Sequence, residues 1–313
     1  MDRNLALEFV RVTEAAAIAA SKWIGKGEGK KADGAAVKEM RARFNQIDFQ
    51  GRVVIGEGSK DEAPELFQGE KVGKGKKGPV FDLAVDPLEC TDSVAFGRYN
   101  ALSVIASGLK GNLLSAPDTY MEKIAVGPKA RKVIELGVKP GVNIQKTAKA
   151  LGKKVSEVTV CVLDRERHKD LILQIRKTGT RVRLITDGDI AGAIATCMPK
   201  SGIDMLLGIG ASAEAVIAAA AIKALGGQIL AKFKPKKEHL NEVLKQGISL
   251  KKVYSVETLA KGKILTFTAT GIIDGPLLEG VKYEGNTIVT HSLVIRGSSG
   301  TVRYMKTEHN SKQ

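Results

Sequence analysis

The chain is poor in aromatic residues, in cysteine and in long apolar runs, and each shortage excludes a class of protein. Phe, Trp and Tyr make up 4% of its 313 residues, so the core must be built mainly from Val, Ile, Leu and Ala. Cys90, Cys161 and Cys197 form neither a metal-binding spacing nor a disulfide framework. No stretch has the apolar length that a membrane span requires, and the charged N-terminus is unlike a signal peptide. We therefore expect a cytoplasmic protein without membrane association.

Acidic residues are also scarce relative to basic ones. The chain has 49 Lys and Arg residues against 34 Asp and Glu residues, which gives a net charge of +15. The excess lies in short lysine runs, and no arginine-rich helix, zinc module or strand with interleaved aromatics is present to bind nucleic acid. A solvated basic surface is therefore favoured over a nucleic-acid face, and either would attract phosphorylated small molecules.

The spacing of apolar residues predicts a mixed α+β and α/β fold in one unit, residues 1–313. Two helices open the chain, the second from Gly34 to Phe44 with Asp33 as its N-cap. From about residue 141 helices and strands alternate, which is typical of layered α/β structure, and the tail returns to strands. We place the division between two packed lobes near residue 155, giving lobes of residues 1–155 and 156–313.

The most informative segment is Asp86-Pro87-Leu88-Glu89-Cys90-Thr91-Asp92, which follows an apolar run that reads as a buried strand. Because Pro87 lacks an N–H, we expect the strand to end there and to present its acids at the edge of the sheet. A hairpin is then expected from 101–106 and 112–115. Oxygen ligands suit hard cations such as Mg²⁺ or Mn²⁺, and Thr91 can polarise a bound water. From this motif alone, a hydrated acidic turn is the alternative.

A second segment of interest, Gly208 to Ala213, contains two glycines and lies between a predicted strand and a predicted helix. This is the context of a dinucleotide fingerprint. The next strand runs into Lys234 instead of ending in an acid that could hold a ribose, and Glu214 would repel a pyrophosphate. Dinucleotide binding is therefore disfavoured. Acids nevertheless stand at the ends of several predicted elements, where they can meet at one sheet edge: Asp33, Glu57, Asp86, Glu89 and Glu214.

Short motifs spread over nearly the whole chain carry a family resemblance. They are Arg11–Ala16, Ala32–Ala36, Val53–Gly58, Asp61–Pro64, Gly69–Gly73, Ala116–Asp118, Tyr120–Lys123, Val126–Pro128, Asp187–Asp189, Ala269–Gly271 and Leu293–Arg296. With these motifs the chain resembles class II fructose-1,6-bisphosphatases, members of the lithium-sensitive, metal-dependent phosphatase superfamily that includes inositol monophosphatases.

The resemblance implies a layered α/β/α/β/α sandwich of the sugar phosphatase type, assembled as a homodimer or homotetramer. It implies one catalytic unit, residues 1–313, with a metal- and phosphate-binding lobe (1–155) and a substrate-binding α/β lobe (156–313). It implies hydrolysis of the 1-phosphate of fructose 1,6-bisphosphate in gluconeogenesis by a metal-activated water, with Mn²⁺ or Mg²⁺ as cofactor. The expected partner is a small sugar bisphosphate.

The resemblance also implies roles for individual residues. Asp33 and Thr91 match the pair that orients and deprotonates the attacking water. The matching metal ligands are Asp33, Glu57, Asp86, the carbonyl of Leu88, Glu89 and Glu214. The matching substrate-binding positions are Glu89, Cys90, Thr91, Tyr120, Arg165, Arg167, Asp187, Gly188, Asp189 and Gly210, and the two arginines are expected to grip the phosphate that is not cleaved.

The chain departs from the family pattern at two places. Cys90 stands where the family has glycine, and Gly210-Ala211-Ser212-Ala213-Glu214-Ala215 stands where it reads Gly-Gly-x-Pro-Glu-Gly. These changes leave three alternatives open: a catalytically impaired sugar-phosphate-binding paralogue with a regulatory role, a phosphatase for sedoheptulose 1,7-bisphosphate, or one for an inositol monophosphate. A redox-sensitive Cys90 is a further hypothesis.

Overall fold

A computed structural model describes residues 5–57, 65–245 and 247–310. Within them the strands are β1 (Gln50–Ile55), β2 (Lys71–Val72), β3 (Val80–Glu89), β4 (Ala101–Leu109), β5 (Tyr120–Val126), β6 (Thr159–Leu163), β7 (Arg181–Ile185), β8 (Met205–Ala211), β9 (Gln228–Phe233), β10 (Tyr254–Ser255), β11 (Leu265–Ile273), β12 (Lys282–Glu284), β13 (Thr287–Arg296) and β14 (Thr301–Asn310). The matched motif Asp61–Pro64 and Gly58 lie outside the described residues.

The described α-helices are α1 (Leu5–Ser21), α2 (Gly29–Phe44), α3 (Thr91–Phe96), α4 (Pro140–Leu151), α5 (Lys169–Arg176), α6 (Ile190–Ala195), α7 (Ser212–Ala224), α8 (Leu240–Lys245) and α9 (Val256–Leu259). Short 3₁₀ turns occur between them, including Glu166–His168 directly before α5. No described helix is both long enough and apolar enough to cross a membrane.

The chain divides into two compact units whose bounds differ from the predicted lobes. The first unit is Met1–Leu113 with Gly262–Gln313, and the second unit is Leu114–Lys261. The division therefore falls at two places in the chain and not near residue 155. The reason is strand pairing, because β11 pairs with β4 along most of its length and returns the C-terminal segment to the first sheet.

The first unit contains a mixed sheet in the order β12-β13-β11-β4-β3-β1-β2, with β14 also paired to β13. Helix α1 packs against α2 and against β11, β13 and β4. Phe9 stands nearly perpendicular to Phe44 and Phe49, with ring centroids 5.8 and 5.4 Å apart. Edge-to-face packing of this kind is favourable, so these three rings stabilise the contact of α1 with α2.

The second unit contains a mixed sheet in the order β10-β9-β5-β8-β6-β7. Strands β6, β7 and β8 run parallel, whereas β5 pairs antiparallel to β8 and β9. The alanine-rich helix α7 is buried from Ala215 to Ile222. The prediction of a mixed α/β protein with two helix-flanked sheets is confirmed.

Three local predictions in the first unit were wrong. Helix α2 begins at Gly29, so Asp33 lies inside the helix and Glu28 is the N-cap. Strand β3 continues through Pro87 to Glu89, because a register shift between Asp86 and Glu89 accommodates the missing N–H as a bulge. The predicted hairpin between 101–106 and 112–115 does not form, because β4 pairs with β3 and β11 instead.

Candidate active site

The candidate metal residues of the first unit lie at one edge of its sheet. Strands β1 and β3 run parallel, with Ile55 opposite Ala84. Glu57 follows Ile55 by two residues and Asp86 follows Ala84 by two residues, so both carboxylates stand just past the point where the parallel β1–β3 pairing ends. This edge is where ligands bind in α/β sheets.

The segment after the bulge is held by local hydrogen bonds. The Leu88 N–H donates to Asp86 Oδ1 at 3.1 Å, and the Thr91 hydroxyl donates to the Leu88 carbonyl at 3.2 Å. Between them Cys90 adopts φ +74° and ψ +54°, the left-handed conformation that L-residues other than glycine seldom adopt. The side chain is buried and its sulfur accepts from Asn100 Nδ2 at 3.3 Å. The family glycine is therefore missing at a position whose backbone favours it.

Asp33 reaches this region through the packing of α2 on α3. A Cβ at Gly29 would lie 3.2 Å from the Thr91 methyl and 3.6 Å from the Ala95 Cβ, so the first turn of α2 lies directly on the start of α3. Asp33 is one turn further along α2 and half-buried, and this burial raises the pKa of its carboxyl above the ordinary value. Among the described residues, no three His, Cys, Asp or Glu side chains come together in an arrangement that could hold a metal ion.

In the second unit, two pairs of the predicted substrate-binding residues are in contact. Arg165 Nη2 lies 3.1 Å from Asp187 Oδ1. Arg167 donates through Nε and Nη2 to the Ile209 carbonyl at 3.0 and 2.9 Å, and its guanidinium stacks on the Tyr120 ring at 4.8 Å. The arginines follow β6, Asp187 follows β7, Ile209 lies near the end of β8 and Tyr120 begins β5, so the pairing of these strands brings the residues together.

His168 fixes the loop that carries the two arginines. Its Nε2 accepts from the Ile209 N–H at 2.8 Å, so the proton sits on Nδ1, which donates to the Leu163 carbonyl at 2.8 Å. Burial lowers the pKa of His168, against the raising effect of the Leu163 carbonyl. The neutral ring therefore ties the end of β6 to β8.

Glu214 and Asp189 share a buried lysine that sequence reasoning did not single out. Lys123 is 1% exposed, and its Nζ lies 2.7 and 2.5 Å from the two oxygens of Asp189 and 2.8 Å from Glu214 Oε2. The same Nζ donates to the Ala211 carbonyl at 3.2 Å, and the Ala211 N–H donates to Glu214 Oε2 at 2.7 Å. The only earlier sign was a lysine in the apolar strand Tyr120–Val126, where a charged side chain must be paired once buried.

These close contacts shift the ionisation of all three groups. Burial would raise the pKa of Glu214, but Lys123 and the Ala211 N–H hold it below its ordinary value. Burial and the negative charge of Glu214 raise the pKa of Asp189 to about 7, although Lys123 opposes them. Burial would lower the pKa of Lys123, and the two carboxylates outweigh it and raise the pKa.

The geometry around the Lys123 ammonium explains why two positions are glycine and why the chain tolerates the loss of a third glycine that the family has. A Cβ on Gly210 would lie 2.5 Å from Asp189 Oδ2 and from Glu214 Oε2 and 2.6 Å from Lys123 Nζ, so no other residue fits. Gly188 has φ +51°, as the tight turn between the two aspartates requires. Ala211 has φ −64°, so the glycine lost at this position was not needed for its conformation.

Comparison with known proteins identifies the family. A family described as bacterial fructose-1,6-bisphosphatase, glpX-encoded, matches residues 3–309. The chain belongs to this family. It is 46% identical to fructose-1,6-bisphosphatase 1 class 2 of Escherichia coli, over 99% of this chain and 96% of that protein. It is 44% identical to fructose-1,6-bisphosphatase class 2 of Haemophilus influenzae, over 99% of this chain and 97% of that protein.

Among solved structures, an inositol monophosphatase from Anabaena is similar with a TM-score of 0.32 and 11% identity, over 62% of this chain and 70% of that one. That similarity is too low to support an argument. Membership of the glpX-encoded fructose-1,6-bisphosphatase family rests on the sequence matches, and the earlier resemblance is confirmed by them.

Proposed function

We propose that this protein is a divalent-cation-dependent fructose-1,6-bisphosphatase that releases the 1-phosphate of fructose 1,6-bisphosphate. The observation that carries the proposal is the similarity to relatives of that name over nearly the full length of both chains. Within each unit, several assigned residues closely follow parallel strands, where an α/β sheet binds its ligands: Glu57 follows β1, Arg165 follows β6 and Asp187 follows β7.

The side chains of the first unit fit a hard divalent cation. Glu57, Asp86, Glu89 and the Leu88 carbonyl offer only oxygen atoms, which Mg²⁺ and Mn²⁺ prefer to nitrogen or sulfur. Glu214, in the second unit, is also assigned to metal binding because it matches a metal carboxylate of the family. When bound, such cations neutralise the negative charge that develops as a phosphate ester is cleaved. We propose that the cation is Mn²⁺ or Mg²⁺.

Asp33 and Thr91 are assigned to the attacking water. The Thr91 hydroxyl donates a hydrogen bond to the Leu88 carbonyl, so its oxygen is oriented to accept a hydrogen bond from water. Asp33 would then take the other proton of that water as the P–O bond breaks, which is the role of a positioned general base. The packing of α2 on α3 holds the two residues on adjoining helices.

The second unit would hold the sugar bisphosphate. Arg165 and Arg167 provide planar, permanently charged forks that match a terminal phosphate better than lysine would. Arg167 is held in place by Tyr120 and the Ile209 carbonyl, so little side-chain freedom is lost on binding. Asp187 and Asp189 are assigned to the sugar hydroxyls, with Gly188 between them.

A phosphate-release assay with Mn²⁺ or Mg²⁺ tests this function. Fructose 1,6-bisphosphate should be hydrolysed, and Asp33→Asn should lower kcat at least about a hundredfold because the general base is lost. Sedoheptulose 1,7-bisphosphate and an inositol monophosphate serve as competing substrates. No phosphate release from fructose 1,6-bisphosphate with either cation, or a higher kcat/KM for a competitor, would reject the assignment.

A further inference from the structure

The ammonium group of Lys123 occupies a buried environment lined by oxygen atoms. Two carboxylates and a backbone carbonyl surround it, all within 3.2 Å, and the side chain is 1% exposed. Hard divalent cations are bound by such oxygen sets. A lysine is rarely fully buried, and its burial is tolerated only when charge partners compensate for lost hydration.

The surrounding backbone is shaped to admit this ammonium. Gly210 leaves the space that Nζ occupies, because a Cβ there would approach it to 2.6 Å. Lys123 lies in the middle of β5, opposite Gly208 of β8 and Ala231 of β9, so both neighbouring strands fix its backbone. The position of the charge is therefore set by the sheet and not by a mobile loop.

We propose that Lys123 is a placeholder cation: it holds Glu214 when no metal is bound and competes with the metal for that carboxylate. The same ammonium keeps Asp189 beside Glu214, so it links the proposed metal carboxylate to the proposed sugar-binding carboxylate. Lys123 is thus a positioning residue. The inference rests on the proposed role of Glu214 in metal binding.

The test is a Mn²⁺ titration of the metal-free protein, with free Mn²⁺ measured by electron paramagnetic resonance. Lys123→Met keeps the length of the side chain and removes the charge. Because the competitor is gone, the Kd for Mn²⁺ should fall about tenfold, the size expected from one charge-assisted hydrogen bond. A side chain with a merely structural role would give the opposite sign, since a damaged site binds metal more weakly.

Steady-state kinetics gives a second measurement, in which the KM for the substrate is expected to rise although the Kd for Mn²⁺ falls. Without the ammonium Asp189 is no longer held in place, so Lys123→Met should raise the KM for fructose 1,6-bisphosphate while Mn²⁺ binds more tightly. Lys153→Met is the matched control, because Lys153 forms an ion pair with Asp204 in the same unit, at 2.5 Å, but is 39% exposed and outside the site. It should change neither the Kd for Mn²⁺ nor the KM.

The double variant separates this inference from the proposed function. In a Glu214→Gln background, Lys123→Met should leave the Kd for Mn²⁺ unchanged. If Glu214→Gln alone does not weaken Mn²⁺ binding, the metal role of Glu214 and the placeholder role both fail. If Glu214→Gln weakens binding while Lys123→Met leaves Kd unchanged or raises it, only the placeholder role fails.

A measurement on the unaltered protein covers the case in which Lys123→Met does not fold. The ¹⁵Nζ resonance of Lys123, in lysine-labelled protein, should shift on titration with diamagnetic Mg²⁺ because its partner Glu214 changes. The Lys153 resonance should stay in place. A Lys123 resonance that does not move at saturating Mg²⁺ overturns the inference.

Discussion

The two units organise their candidate residues by different physical means. In the first unit the backbone supplies the arrangement: a bulge at Pro87, a left-handed Cys90 and hydrogen bonds of Leu88 to Asp86 and Thr91. In the second unit ionic and aromatic contacts supply it, with Lys123 between carboxylates and Arg167 on Tyr120.

The difference bears on what each unit needs from its ligands. The second unit compensates its buried charges with its own lysine and arginines, so its geometry exists before ligand binding. The first unit places Glu57 and Asp86 just past the β1–β3 pairing by chain geometry, and neighbouring carboxylates repel one another unless cations or protons compensate. We therefore expect metal binding to alter the stability of the first unit more than that of the second.

Gly210→Ala should have the largest effect, because it disrupts the ionic arrangement directly. Its Cβ would lie 2.5–2.6 Å from Asp189, Glu214 and Lys123, so these groups must move apart. A displacement of about 1 Å at a catalytic site costs about a hundredfold in rate, so kcat/KM should fall at least that far. Steady-state kinetics on folded protein measures it.

The matched change in the first unit is Gly34→Ala, in helix α2. A Cβ at Gly34 meets nothing within 4 Å, so it should raise the free energy of unfolding by about 0.5–1 kcal/mol through helix propensity. If Gly210→Ala and Gly34→Ala lost activity equally, the space around each glycine would not explain the effect of its substitution.

Arg165→Ala should give the next largest effect, on substrate binding. A charge-assisted contact to phosphate is lost, which corresponds to about a tenfold or greater rise in KM for the bisphosphate. The KM for a sugar monophosphate that lacks the retained phosphate should change little. Arg176→Ala, on the exposed side of α5, is the control. A similar rise for both substrates would contradict the assignment of Arg165 to the uncleaved phosphate.

His168 should make the second unit sensitive to acid. Its pKa is lowered in the folded state, so below pH 6.5 the unfolded chain binds a proton that the folded chain does not. Stability should therefore be full above about pH 6.5 and decline as the pH falls below it. Urea unfolding from pH 7.5 to 5 measures the slope, which His168→Gln should reduce. An unchanged slope would show that other groups cause the acid sensitivity.

Cys90 should give the smallest effect and tests the backbone-built region. Glycine tolerates φ +74° without strain, whereas alanine keeps the strain and loses the sulfur contact with Asn100. Cys90→Gly should therefore be more stable than Cys90→Ala by about 1 kcal/mol, as measured by urea unfolding. Alanine equal to glycine, or better, would mean that the left-handed conformation is not costly here.

Much of the fold could be read from the order of residues, because apolar periodicity and turn chemistry are local. Helix α1, the alternation of strands and helices after residue 141 and the C-terminal strands all follow from short windows of sequence. The errors came where a distant partner overrode a local signal. Strand β3 passes Pro87 because β4 tolerates a bulge, and 101–106 has no local hairpin because β11 pairs with β4.

The sequence by itself determined the family, and it predicts the chemical type of the site, because motifs along the whole chain carry the carboxylates, the threonine and the arginines. Only the tertiary structure revealed which of these groups are paired and with which partners. Lys123, His168 and the space at Gly210 depend on atoms that lie far apart in the chain and meet within 3 Å, where burial and charge fix ionisation states that no linear pattern encodes.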